Sequence, residues 1–81
     1  MARQTELERQ WDELMLLCQK EKEYLADQTH RVLRKVLAVR IDELARQMGF
    51  SEPQIQGRNF RAEKTDGRIT SIVRAPAPGR D

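Results

Sequence analysis

Glu6, Glu8, Asp12 and Glu13 crowd one short stretch near the start of the chain. Paired carboxylates are the residue type that general acid–base chemistry uses. The first turn of a helix also favours acids, because its exposed N–H groups carry partial positive charge. The structural reading is preferred here, since an 81-residue chain has little room for the concave pocket of a typical active site. His30 and Cys18 are the sole histidine and cysteine, so no cluster has metal-ligand spacing and no zinc site is expected. His30 reads as a surface residue near a helix start. Ser51 and Ser71 lack the strand–turn–helix context of a nucleophile elbow, and the four glycines are too dispersed for a phosphate-binding loop. Neither an enzyme activity nor a cofactor is expected.

Composition narrows the classes further. A chain of this length forms one small domain at most, and small chains often complete their core by oligomerisation. One Cys excludes an intramolecular disulfide, and Met15, Leu16 and Leu17 around Cys18 point to its burial. The first apolar run, Leu14 to Cys18, is too short for a signal peptide, and no stretch is apolar enough to span a bilayer. No membrane association and a cytoplasmic location are expected. The net charge of +2 is unevenly spread. Residues 1–28 hold four basic and seven acidic side chains, whereas residues 29–81 hold eleven basic and six acidic ones. The acidic N-terminal part suits a task other than contact with phosphate, and the basic remainder suits a polyanion or an ordinary solvated surface.

The elements that carry these residues can be placed by pattern. Thr5-Glu6-Leu7-Glu8 fits a capping box, and Leu7, Trp11, Leu14, Cys18 and Leu25 follow at helical spacing. A break is expected at 26–29, where Asp27 or Thr29 would cap a second helix over about 30–48. A single helix over 5–48 is the competing picture. Val32, Leu33, Val36, Leu37, Ile41, Leu44 and Met48 give the second helix one broad apolar face. Gly49 suits a helix C-cap, and Ser51-Glu52-Pro53-Gln54 is a second capping box, so a helix begins near 52 and Gly57 cuts it short. Asp66-Gly67 suits a type I′ turn. The implied register pairs Thr65 with Arg68, Lys64 with Ile69, Glu63 with Thr70, Ala62 with Ser71, Arg61 with Ile72 and Phe60 with Val73. That register puts Phe60, Ala62, Ile69 and Val73 on the core side, and Ile72 on the other face. Residues 75–81, rich in Pro and Gly, read as a disordered tail. The expected fold is α+β and mostly helical: two long helices in a hairpin, a short third helix or turn, and a C-terminal β-hairpin. Residues 1–74 form the single domain, with an acidic helix over 5–27, a helix–turn–helix-like unit over 30–58 and the hairpin over 59–74.

Ala45, Gly49 and the apolar set Leu44, Met48, Phe50 and Ile55 fall where two crossing helices bury side chains against each other. Over residues 41–58 the chain thereby resembles the helix-turn-helix of bacterial and phage DNA-binding regulators. Arg58 departs from that pattern, since such motifs usually bury a third aliphatic residue there. The resemblance implies roles. Gln54, Gln56 and Asn59 would read base edges, and Arg58 would pair with guanine. Arg61, Arg68 and Arg74 would grip phosphates as a wing does, with Lys35 and Arg46 adding backbone contacts. Gln56-Gly57-Arg58 also looks like the minor-groove hook of some nucleoid-associated proteins. The stripe Leu7, Trp11, Leu14, Cys18 and Leu25 would bury itself against a second copy or against the 30–48 helix.

The function expected from these residues is a non-enzymatic, sequence-specific transcriptional regulator that binds double-stranded DNA as a homodimer, of phage or plasmid type. The alternative is a small protein-binding module that inhibits or redirects a larger protein machine, such as RNA polymerase or another regulator, without binding nucleic acid.

Overall fold

The computed structural model describes residues 3–26 and 30–74. Three helices come first: α1 (Glu6–Ala26), α2 (Arg31–Met48) and α3 (Glu52–Gly57). Strands β1 (Ala62–Thr65) and β2 (Arg68–Ile72) follow as an antiparallel hairpin. The expected α+β class holds, and α1 and α2 are separate helices. The proposed caps Asp27 and Thr29 and the tail at 75–81 lie outside the described residues.

Local chemistry accounts for the boundaries. The Glu8 amide donates to Thr5 Oγ1 at 3.1 Å and the Thr5 amide donates to Glu8 Oε1 at 2.9 Å, closing the box that starts α1. Gly49 ends α2 at φ 106°, and its N–H reaches the carbonyls of Ala45 and Arg46. A Cβ at Gly49 would meet only Ile72 Cδ1 at 3.5 Å, so the positive φ and not lack of space calls for glycine. The Ser51 amide donates to Gln54 Oε1 at 3.0 Å at the start of α3, where Pro53 has no N–H to leave unpaired. α3 lasts six residues and stops at Arg58, which takes a left-handed conformation at φ 53°.

The core is small and off-centre. Leu14, Ile41, Leu44, Ala45, Phe50 and Ile55 are buried together, and Trp11, Met15, Leu17, Cys18, Met48, Phe60 and Ile72 pack against them. The contact between α2 and α3 closes around Ala45, which has no exposed surface. The Phe50 and Phe60 rings, 4.9 Å apart at 56°, join the turn to the start of the hairpin. All the buried residues of α2 lie at Ile41, Leu44 and Ala45. Its first half buries none, and Val32, Leu33, Val36 and Val39 stay exposed. The single broad face expected from Val32 to Met48 is therefore split into a core-facing half and an uncovered half.

The hairpin departs from the expected register. Thr65 pairs with Arg68 and Lys64 with Ile69 as anticipated, across Asp66 and Gly67 at φ 54° and 77°. Glu63 then pairs with Ser71 and Ala62 with Ile72, so Thr70 is an extra residue in β2. Its hydroxyl donates to the Glu63 carbonyl at 3.3 Å. A one-residue slip reverses which face a side chain takes. The bulge thereby turns Ile72, expected on the outer face, onto the core. Turn chemistry alone fixes the first pairs, but the apolar surface awaiting Ile72 fixes the rest.

Gly57 does not need its glycine. It lies in the last turn of α3 without a positive φ, and a Cβ there would meet nothing within 4 Å. Gly57→Ala should stabilise the protein by about 0.5–1 kcal/mol, largely by restricting the unfolded chain. Calorimetry should show a melting temperature raised by about 3–6 °C. An unchanged or lower value would mean that the α3 terminus is held in a shape that alanine cannot share.

Candidate functional site

The residues expected to read DNA divide into two groups. Gln54, Arg58 and Arg68 are engaged inside the fold, whereas Gln56, Asn59, Arg61 and Arg74 are exposed. Gln54 is buried and joins two elements: its Oε1 accepts from the Ser51 amide and hydroxyl, and its Nε2 donates to the Val73 carbonyl at 2.7 Å. With both ends of its amide in use, it has no edge left for a base.

Arg58 is a structural hub. Its Nε and Nη2 donate to the two carboxylate oxygens of Glu21 at 3.0 Å each, and Nη1 donates to Asp42 at 2.6 Å and to the Ile55 carbonyl at 2.8 Å. Glu21 belongs to α1 and Asp42 to α2, so one guanidinium ties both long helices to the end of α3. Hydrogen bonding to Glu21, with Asp42 adding to it, pushes Arg58 further above its already high value and keeps it charged. A bidentate pair in a half-buried setting is stronger than an exposed one. Arg58 was expected to face guanine. It turns inward instead, to the carboxylates of Glu21 and Asp42.

Arg68 makes the same kind of bond at the other end of the molecule. Its Nε and Nη2 meet both oxygens of Glu8 at 2.8 Å, and Nη2 also donates to the Arg3 carbonyl. The Ile69 amide also donates to Glu8 Oε2, at 3.2 Å. This fastens β2 to the first turn of α1, so the hairpin is pinned across the bundle rather than projecting as a free wing. The Arg68 guanidinium, followed by the Thr5 and Ile69 amides, holds the Glu8 carboxyl down from 4.5 to about 2. Arg46 is paired in turn, with both oxygens of Glu52 at 2.6 and 3.0 Å.

The exposed face of α3 is therefore poor in recognition chemistry. It offers Glu52, already paired, then Pro53, Gln56 and Gly57. Asn59, Arg61 and Arg74 lie beyond it on irregular backbone. α2, the turn at Gly49 and α3 pack together around Ala45, and the six residues of α3 give little length to enter a groove.

The interface stripe of α1 also changes role. Leu14 is fully buried in the core, and Trp11 and Cys18 are half-buried against it. Leu7 is half-buried and Leu25 is exposed. Most of this stripe is satisfied within the chain by α2, so Leu14 has no surface for a second copy. Burial pushes the Cys18 thiol up, which keeps it protonated and a weak nucleophile. The apolar surface left uncovered lies on α2. Val32 is 75% exposed, Val36 60% and Val39 57%. Val39 sits about 160° around the helix from the buried Ile41, so this stripe points away from the core. The aliphatic periodicity of residues 32–39 was visible in sequence, but which half of it would be covered was not. Among the described residues, no group of His, Cys, Asp and Glu could hold a metal ion, and no helix is long and apolar enough to cross a membrane.

Two substitutions test the ion pairs. Arg58→Ala leaves Glu21, whose side chain is 13% exposed, without its partner, and should cost about 2 kcal/mol in a urea titration. A loss near zero would mean that the three helices hold their positions without it. Glu8 has the opposite pH logic from a raised base. Its depressed value stabilises the fold above pH 4.5, and that contribution is lost as pH falls towards 2. Glu8→Gln should be less stable at about pH 7 and show a flatter dependence over that acid window. Parallel profiles for the two proteins, followed by Trp11 fluorescence, would dissociate Glu8 from acid unfolding.

No protein-family model matches the chain, and comparisons with curated proteins and with solved structures likewise find no match.

Proposed function

We propose that this protein is a cytoplasmic, non-enzymatic protein-binding module that works by docking another polypeptide on the outer face of α2. The observation that carries the reading is the run Val32, Leu33, Val36 and Val39, four large aliphatic side chains exposed on two turns of one helix. Scattered exposed apolar residues need no explanation, but a contiguous set on a folded surface marks an interaction site. The face is rimmed by Lys35, Arg40 and Glu43, the polar border that interfaces use.

A second reading keeps the DNA-binding regulator. Gln56, Asn59, Arg61 and Arg74 support it, being exposed amides and cations near the end of α3 and the ends of the hairpin. It is the weaker of the two because Gln54, Arg58 and Arg68 are held in internal bonds.

Photo-crosslinking separates these readings. Benzoylphenylalanine placed at position 36 in expressing cells should give a discrete protein adduct, and the same group at the exposed position 23 should not. Gel shifts with random-sequence duplex, run beside it, should show no retention that depends on Arg61 and Arg74. Absence of any protein adduct, together with salt-sensitive retention lost in Arg61→Ala and Arg74→Ala, would overturn the proposal in favour of DNA binding.

A further inference from the structure

We infer that the occupant of the α2 face is a second copy of this chain, packed antiparallel across a two-fold axis near Val39. This deepens the protein-binding reading and rests on it.

The charge pattern along α2 carries the inference. The first part of the helix, residues 31–40, contains Arg31, Arg34, Lys35 and Arg40 and no acid. The two acids of the helix, Asp42 and Glu43, follow directly. Lys35 and Glu43 border the same apolar surface as Val36 and Val39. They stand four residues before and after Val39, about 6 Å along the axis in each direction. A two-fold axis through Val39 exchanges those positions. It brings Lys35 of one copy level with Asp42 and Glu43 of the other, and it does so twice. Neither Lys35 nor Glu43 has an ion pair within the chain among the described residues, so both are available. A parallel pair would instead set Lys35 beside Lys35 and Glu43 beside Glu43. Like charges at close range are the device by which interfaces reject an arrangement.

The apolar contacts fit the same operation. A two-fold interface uses one patch on both partners, so the patch must be complementary to itself. Val39 meets its own copy at the axis. Val32 falls level with Arg46 of the other copy, whose aliphatic stem can cover a valine while its head group stays on Glu52. Val32, Val36 and Val39 follow the four-then-three spacing by which packed helices present a seam. Val32, Val36 and Val39 are all more than half exposed, so no described residue covers this side of α2. The Arg40–Glu13 pair at 2.7 Å also sets an acid of α1 beside the middle of α2.

Sedimentation equilibrium of the full chain tests this. The wild type should form a dimer in the range of about 1–100 µM. Val39→Lys, at a site that makes no core contact, should weaken association by about tenfold or more while helical circular dichroism is unchanged. Lys35→Glu and Glu43→Lys should each weaken it, and the two combined should restore it. A wild type that stays monomeric at about 200 µM would overturn the inference. So would a dimer indifferent to Val39→Lys, or single charge changes that the combination fails to rescue. A monomer that still gives a discrete adduct to a different protein from position 36 would overturn self-association and leave the protein-binding reading standing. A monomer with no adduct at all would remove both.

Discussion

One guanidinium sets the arrangement of the three helices. Arg58 reaches α1 through Glu21, α2 through Asp42 and α3 through the Ile55 carbonyl. Its left-handed backbone, uncommon for a side-chain-bearing residue, is what turns the chain out of α3 and aims the guanidinium inward. The strain is offset by four charge-assisted or carbonyl hydrogen bonds. Were a leucine there, α3 would have an aliphatic anchor and reason to run further. With arginine the helix ends after Gly57, and the following residues pass into the hairpin.

That arrangement confines the core to one region. The residues that α2 buries begin at Ile41, where Leu14, Ile55 and Phe50 converge on it. The hairpin is tied down at two separate points, by Gln54 to Val73 and by Glu8 to Arg68, so it stays over the same region. Among the described residues, none is left to cover Val32, Val36 and Val39. An exposed apolar face is thus a consequence of where the core closes. The described fold closes around its buried cluster and leaves this further apolar surface open.

The same geometry redistributes the cations. In sequence, Arg58, Arg61, Arg68 and Arg74 form a basic series at the C-terminal end of the protein. In the fold, two of the four neutralise carboxylates of α1, so the acidic first helix and the basic remainder cancel each other at close range. The charge asymmetry that suggested contact with a polyanion is in large part an internal complementarity. What remains exposed is a different asymmetry, between the basic first half of α2 and the acids that follow it.

The sequence by itself determined the local structure. Capping residues at Thr5–Glu8 and Ser51–Gln54, the glycine at 49 and Asp66-Gly67 each act through neighbours a few residues away, so their effect was legible without knowing the rest of the chain. The order of elements and the mostly helical α+β class followed from them. Only the tertiary structure decided what those elements do with their side chains. The partners of Arg58 lie 37 and 16 residues away, and that of Arg68 lies 60 away. No local pattern encodes such distances. The bulge at Thr70 likewise exists because Ile72 has a core to reach. Periodicity showed that α2 carries apolar residues along its length, but a helix has no knowledge of how far its neighbours extend. The division of α2 into a buried half and an open half was fixed by packing, because the small set of side chains that converge at Ile41 cannot also cover Val39.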